Sequence, residues 1–270
     1  MKALLDLDIF VYRIGFTTED VDIEIAKYRM NDLVEKVLAD VKATSYQGYL
    51  TKSKDEKAFR KQVYPEYKAN RKSPRPVHYE ALRQFLVEEW GAIMVEVIEA
   101  DDALAIAQSD DTIIVSIDKD LDMVPGWHYN FVKEIKYYVH EDEAIRNFYI
   151  QLLMGDAADN VKGLKGIGEK KADKILSGEE DEEGYFERTR AAYGNDEAML
   201  ANGEVLWMMR KPYPLGRWKY TTFGSQLLQE NDFQPELPLK QAITGMESTG
   251  EENLTDGSQL NGLNLQASTD

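Results

Sequence analysis

Residues 93–122 read IMVEVIEADDALAIAQSDDTIIVSIDKDLD, and their alternation decides the fold class. Residues 93–98 and 112–117 are apolar runs of strand length, the second strongly β-branched, and 101–108 between them reads as a helix. A strand–helix–strand unit of this size calls for parallel strands with helices on both faces. The same alternation continues outward. Residues 2–7 form a short buried strand and 45–50 a second one. Leu33, Val34, Val37, Leu38 and Val41 share one helical face, as do Tyr79, Leu82, Phe85, Leu86 and Trp90. The expected class is therefore α/β, a parallel twisted sheet flanked by helices. Beyond it, Ile145, Phe148, Tyr149, Leu152 and Leu153 mark another helix, a glycine-rich turn in 163–176 opens a further one, and 178–184 is an acidic loop. From about residue 228 the chain is rich in Gly, Ser, Thr, Asn and Gln, and a disordered tail is expected.

The chain has 270 residues, 43% hydrophobic and 30% charged, which suits a globule with a substantial core. It contains no cysteine, so disulfides, iron–sulfur clusters and thiolate zinc sites are excluded. Its only histidines are His78, His128 and His140, a poor stock for Ser–His chemistry. No stretch approaches the roughly 18 apolar residues of a membrane span. Asp6 and Asp8 fall where a secretory leader needs its apolar run, so a cytoplasmic protein is expected. What remains plentiful is carboxylate: 49 Asp and Glu against 32 Lys and Arg, a net charge of −17. That total hides an uneven distribution. Residues 52–75 carry nine Lys and Arg against three acids, whereas 230–270 carry eight acids against Lys240 alone.

The acids sit at strand ends. Asp6 and Asp8 close the first strand, Glu99, Asp101 and Asp102 follow the third, and Asp118, Asp120 and Asp122 follow the fourth. In open α/β sheets, ligands bind outside the carboxyl ends of the strands. Any one of these clusters reads most simply as a helix cap, with Asp101 capping the helix that follows it. Three on one sheet edge shift the balance to metal, because so many carboxylates cannot stay ionised together without compensating cations. Hard divalent ions with oxygen ligands meet that need, magnesium above all at phosphate chemistry. Residues 118–122 also begin like a calcium-binding EF-hand loop. Met123 stands where the turn glycine belongs and Tyr129 where the bidentate glutamate belongs, so that match fails.

Asp156 and Asp159 supply a further pair, which would share a face if helical. Next comes Gly163-Leu-Lys-Gly-Ile-Gly-Glu-Lys-Lys-Ala172. Gly166 and Gly168 allow a tight turn that presents backbone N–H groups at a helix N-terminus, an anion site, and Lys165, Lys170 and Lys171 surround it with positive charge. This is the pattern of a helix–hairpin–helix that grips a nucleic-acid backbone without reading bases.

Six motifs in order resemble the flap endonuclease and 5′→3′ exonuclease family, especially its phage and bacterial members, over residues 1–176. They are Leu5-Asp-Leu, Tyr64-Pro-Glu-Tyr-Lys-Ala-Asn-Arg-Lys72, Ile98-Glu-Ala-Asp-Asp102, Ser116-Ile-Asp-Lys-Asp-Leu-Asp122, Met154-Gly-Asp-Ala-Ala-Asp-Asn160 and Gly166-Ile-Gly-Glu-Lys-Lys171. The resemblance implies a PIN-like 5′ nuclease core at 1–145 with a helical arch at 52–76. A helical DNA-binding subdomain would follow at 146–227, with its hairpin at 163–172, and an acidic tail at 228–270. It implies two or more Mg2+ ions, replaceable by Mn2+, on Asp6, Glu99, Asp101, Asp102, Asp118, Asp120, Asp156 and Asp159, and a K+ ion on main-chain carbonyls of the hairpin. Lys68 and Arg71 would reach the scissile phosphate, Tyr67 would stack on a base, and Lys72, Lys165, Gly166, Gly168, Lys170 and Lys171 would contact DNA. Asp8 departs from the pattern. Many relatives carry an uncharged residue there, which leaves it an extra outer-sphere ligand or a polar neighbour. Residues 199–220 match no motif, and packing of the C-terminal part on the core explains them best.

The expected activity is metal-dependent hydrolysis of DNA phosphodiesters from a 5′ end or flap, in replication or repair, by a monomer with no membrane partner. RNA primers in RNA–DNA hybrids are a second expected substrate. If the chain is phage-encoded, it would act in the host cytoplasm. Two alternatives come from other classes. A non-catalytic structure-specific DNA-binding module would keep the hairpin but gain nothing from like charges beside phosphate. A PIN-type ribonuclease would share the acidic core but lack the hairpin.

Overall fold

In β1 (Lys2–Asp6), Ala3 and Leu5 enter one apolar core and Leu4 the other, as a strand buried on both faces requires. This computed structural model describes residues 1–52 and 57–229. From β1 the chain runs through α1 (Leu7–Thr17), α2 (Ile23–Asp40), β2 (Ser45–Thr51), α3 (Phe59–Val63), α4 (Tyr79–Trp90), β3 (Ile93–Val95), α5 (Ala100–Ala107) and β4 (Thr112–Val115). A 3₁₀ turn at Lys119–Met123 leads into β5 (Gly126–Asn130) and β6 (Ile135–Val139). Then follow α6 (Glu141–Met154), the short pair β7 (Gly155–Asp156) and β8 (Val161–Lys162), α7 (Glu169–Leu176), α8 (Glu182–Tyr193), α9 (Asp196–Leu206) and α10 (Thr222–Gln229).

The main sheet has the order β3-β2-β1-β4-β5-β6, parallel except for β6. The chain builds outward from β1 through β2 to β3, then returns to place β4 on the other side of β1. The carboxyl ends of β1 and β4 therefore flank the point where the strand order reverses, which is where a parallel sheet opens a crevice. Ile113 and Val115 of β4 share a core with α1, α2 and α4, while Ile114 joins the core formed with α5 and α6.

Several sequence expectations are corrected here. The strand expected at 93–98 ends at Val95, and two residues later Val97 takes φ +71°, a conformation no strand admits. The helix after it is capped by Glu99 rather than Asp101. Asp102 Oδ2 accepts the Glu99 N–H at 3.1 Å, completing a capping box. Asp156 and Asp159 lie on β7 and the turn beyond it, not on a helix. The hairpin β5–β6 was not foreseen, since its turn offers no Asn-Gly or Asp-Gly signal and Glu134 takes the positive φ instead.

The expected domain boundary at 145 is not a boundary of packing. Leu4 and Ile114 of the sheet share one core with Phe148, Leu152 and Trp218. In the arch region, α3 and the turns up to residue 76 are described, while 53–56 lie outside the described residues, as does the expected disordered tail from 230 onward. Residues 199–220 pack as expected: Trp207 and Trp218 are buried, and Glu204 pairs with Arg217 beneath the surface. Among the described residues, no helix is long and apolar enough to cross a membrane.

Candidate active site

The switch point places Asp6 at the centre of the carboxylates. Asp6 ends β1 and caps α1, and burial to 1% exposure is the main reason its pKa rises to about 7. Ser116 Oγ donates to Asp6 Oδ2 at 2.6 Å and opposes that rise, while the charges of Asp8 and Asp118 add to it. Asp101 is pushed well above the carboxylate range by burial, then by Asp6, Asp118 and Glu99. Asp120, on the 3₁₀ turn, rises to about 7 through burial and the charges of Asp118 and Asp156. The acids of β1, the β4 turn, α5 and β7 thus converge closely enough that their charges hinder the ionisation of Asp6, Asp101 and Asp120.

A second layer of the site is already neutralised by the chain itself. Lys68 Nζ lies 2.5 Å from Glu99 Oε1 and 3.6 Å from Asp159 Oδ2, and Arg71 Nη2 lies 2.5 Å from Asp159 Oδ1. Burial would raise the pKa of Glu99, but Lys68 and Arg60 outweigh it and hold it at about 2. Lys68 takes φ +57°, and its N–H donates to the Asp159 carbonyl at 2.8 Å. Asn70 Nδ2 donates to the Ala157 carbonyl and Asn160 Nδ2 to the Glu66 carbonyl, both at 2.8 Å, so residues 66–71 are laced to 157–160. Asp156 caps the turn below, accepting the Ala158 N–H at 2.7 Å.

Two of the expected roles need correction. Asp102 was expected to bind metal, but it is fully buried, takes a two-pronged ion pair from Arg60 and accepts the Met209 N–H at 3.2 Å. Both of its oxygens are committed inside the core. Tyr67 was expected to stack on a base, but the residue is only 5% exposed. Its hydroxyl lies 2.7 Å from Glu99 Oε2 and 2.8 Å from Asp159 Oδ2, and its single hydrogen serves one of them at a time.

The remaining acids suit hard cations. Among the described residues, no three of His, Asp or Glu are grouped closely enough to hold a metal ion as they stand. The donor set is nevertheless all oxygen, and the burden that burial and the Asp118 charge place on Asp6, Asp101 and Asp120 is what a divalent ion would relieve. The hairpin is less suited to potassium. Lys171 Nζ already donates to the Gly166 carbonyl at 2.7 Å, so the chain's own ammonium serves that oxygen.

Gly155 and Gly163 seat the hairpin beside the acids. Gly155 has φ +71°, and a Cβ there would come within 2.1 Å of the Gly163 nitrogen. Only glycine allows this contact, which joins the Asp156 turn to the stretch leading into α7. Gly166 has φ +75° and Gly168 caps α7. Lys165, Lys170 and Lys171 are exposed around them, as is Lys72 on the arch segment.

A cavity of about 910 Å³ opens over the acids, with Asp6, Asp101 and Asp118 on its floor and Lys61, Lys68 and Arg71 on one wall. Its far wall is the exposed face of α1, with Tyr12, Arg13 and Phe16 beside Arg75 and Tyr79. Tyr12, Arg13 and Phe16 were not among the residues the sequence pointed to. The available signal was an aromatic pair at i and i+4 on the helix that directly follows Asp6.

No family model matches the chain. DNA polymerase I of Rhizobium leguminosarum is 35% identical over 181 residues, which is 57% of this chain and 17% of that protein. Flap endonuclease Xni of Pseudoalteromonas translucida is 28% identical over 55% of this chain and 64% of its own length. Flap endonuclease Xni of Shewanella sp. (strain MR-4) is 32% identical over 45% and 54%. The chain therefore spans less than two thirds of each of these relatives. Among solved structures, a T5 D15 protein co-crystallised with metal ions superposes with a TM-score of 0.57 at 18% identity, over 74% of this chain and 87% of that one. T5 5′-exonuclease with bound zinc gives 0.56 at 18% identity, over 76% and 89%. The chain is thus a homologue of proteins named flap endonuclease Xni and DNA polymerase I, and its fold is that of T5 5′-exonuclease.

Proposed function

We propose that this chain is a divalent-metal-dependent 5′ nuclease that hydrolyses DNA phosphodiesters at a 5′ end or flap. The observation that carries the reading is the convergence of Asp6, Asp101, Asp118 and Asp120 at the sheet's switch point, where the Asp118 charge makes buried Asp6, Asp101 and Asp120 harder to ionise. Asp6, Asp101, Asp118 and Asp120 would hold one ion and Asp156 would contribute to a second, with Glu99 and Asp159 joining them once a bound phosphate draws Lys68 and Arg71 away. Magnesium or manganese bound there supplies charge neutralisation and an acidified water. The water oxygen forms the new bond to phosphorus and the bond from phosphorus to the 3′ oxygen breaks, leaving a 3′-hydroxyl and a 5′-phosphate.

The chain's own residues account for the rest. Lys68 and Arg71 now pair with Glu99 and Asp159 at the cavity wall. A phosphate entering the cavity offers them a replacement anion, and from there they offset the charge that builds on the phosphoryl oxygens. Exposed Lys165, Lys170 and Lys171 with the N-terminus of α7 would hold duplex phosphates without base preference. Lys72 extends this basic track from the arch segment. The partner is therefore DNA with a 5′ end, nick or flap, and RNA–DNA hybrids fit the same backbone chemistry. The monomer is the functional unit in this reading, since all these groups come from one chain.

Cleavage of a 3′-labelled duplex bearing a 5′ single-stranded flap, with magnesium, calcium or chelator, tests the proposal. A magnesium-dependent ladder from the 5′ end, or a single cut near the junction, is the expected product. Absence of cutting together with a salt-sensitive shift in calcium would make the protein a binding module instead.

A further inference from the structure

Asp8 lies two residues beyond Asp6 and borders the same cavity, yet both of its oxygens are occupied. Arg83 Nη1 donates to Asp8 Oδ1 at 2.6 Å, and the Thr51 N–H donates to Asp8 Oδ2 at 2.9 Å. Arg83 is 2% exposed on α4, with its guanidinium over the Tyr79 ring, and its Nη2 donates to the Thr51 carbonyl. Thr51, the last residue of β2, is therefore gripped at both of its peptide groups. Its hydroxyl in turn accepts the N–H of Ala100 at 2.9 Å. Ala100 opens α5 and stands between Glu99 and Asp101. A continuous line of hydrogen bonds thus runs from Arg83 through Asp8 and Thr51 to the residue that separates two of the site's acids.

We propose that Asp8, Arg83 and Thr51 form a positioning strut that sets Glu99 and Asp101 relative to Asp6, and that Asp8 is not itself a metal ligand. The chemistry favours this role over direct ligation. Each Asp8 oxygen already accepts a hydrogen bond, one of them from a guanidinium only 2% exposed, and turning Asp8 to a metal would leave the Arg83 charge buried and unpaired. Arg83 Nε has no partner, so the guanidinium is held by the Asp8 and Thr51 contacts rather than by a wider network. The geometry also explains why a charge is used here. α1, β2 and α5 meet at Thr51, and a planar guanidinium that gives one N–H to Asp8 and another to the Thr51 carbonyl fixes their relative placement more tightly than a neutral side chain can.

The inference rests on the nuclease reading, and its test separates the two. Manganese binding by calorimetry and manganese-dependent cleavage of the flap substrate are measured for the wild type, Thr51→Val, Thr51→Ser, Asp8→Asn and the Asp8→Asn/Thr51→Val double variant. Thr51→Val removes only the hydroxyl that holds Ala100. It is expected to weaken manganese binding by about tenfold or more, the usual effect of losing a group that orients a metal ligand. Thr51→Ser should restore binding. The double variant should be no worse than the weaker single one, because both break the same line. Unchanged manganese affinity in Thr51→Val, even with a lowered melting temperature, overturns the strut. So do effects of Asp8→Asn and Thr51→Val that multiply, which would make Asp8 an independent ligand. A wild type that binds manganese but does not cut overturns the nuclease reading alone, and one that does neither overturns both.

Discussion

Ser116 Oγ donates to Asp6 Oδ2 at 2.6 Å and accepts the Asp118 N–H at 3.0 Å, so one hydroxyl ties the acid of β1 to the acid beyond β4. The two strands are neighbours in the sheet, and the bond spans the point where the strand order reverses. A single serine thus fixes the spacing of carboxylates that are 112 positions apart in the chain. It also supplies the main counterweight to the burial of Asp6.

Ser116→Ala should therefore move the acidic limb of the pH–rate profile to higher pH. The serine hydrogen bond lowers the Asp6 pKa, so its loss raises it further. A hydrogen bond to a charged group is worth roughly 1.5–3 kcal/mol, which corresponds to about one to two pH units. Cleavage rates measured across pH at fixed magnesium check this.

In the presence of chelator the protein should be more stable in mild acid than at pH 8. Asp6 and Asp120 have folded-state pKa values near 7 against an ordinary 3.8, so the fold takes up protons as the pH drops through 7 and is stabilised by them. Glu99 acts in the opposite sense. Its value near 2 against an ordinary 4.5 means that its contribution is lost as the pH falls below about 4.5. A melting-temperature maximum between these limits is expected, and magnesium should raise stability most at pH 8.

Asp118→Asn should abolish cleavage, preserve DNA binding and raise the melting temperature in chelator at pH 8. The Asp118 charge opposes ionisation of Asp6, Asp101 and Asp120, so its removal relieves repulsion that metal would otherwise cancel. A stabilised, inactive variant is the expected combination, read by calorimetry beside a cleavage assay.

Lys68→Ala should lower the single-turnover rate by about 10²–10³, the usual loss when one preorganised group facing developing charge is removed. Its substrate affinity should change far less. Rapid-quench kinetics at saturating enzyme separate the two, and an unchanged rate would remove Lys68 from the reaction.

Asp102→Ala should act on stability before chemistry. It strands the Arg60 guanidinium at 3% exposure and frees the Met209 N–H, and breaking a buried pair from one side costs about 3–5 kcal/mol. Urea unfolding checks this. Asp102→Asn, which keeps the shape and an acceptor for Met209, should recover part of the loss.

Much of the frame was legible in the chain. The strands at 2–7, 45–50 and 112–117 and the helical face of Tyr79 to Trp90 all stand close to where periodicity puts them, and β1 and β4, buried on both faces, carry the continuous apolar signature that such strands leave. The β5–β6 hairpin and the early end of β3 were not legible. The first lacks turn residues that announce themselves, and the second depends on Val97 accepting a positive φ under tertiary constraint.

The candidate site divides along the same line. That acids follow the strands, and that lysines surround a Gly-Ile-Gly turn, is written in the order of residues, since a parallel sheet always presents its strand ends to one edge. Which acids face the cavity is not. Asp101 and Asp102 are adjacent, yet a helical step of about 100° turns one toward Asp6 and the other into the core against Arg60. Tyr67 and Lys68 are likewise neighbours, one buried against Glu99 and Asp159 and the other lining the cavity. Sequence determined the inventory of charges and the edge on which they gather. Only tertiary packing decided which of them are left without a partner, because burial and pairing are properties of the neighbours that the fold brings together from distant parts of the chain.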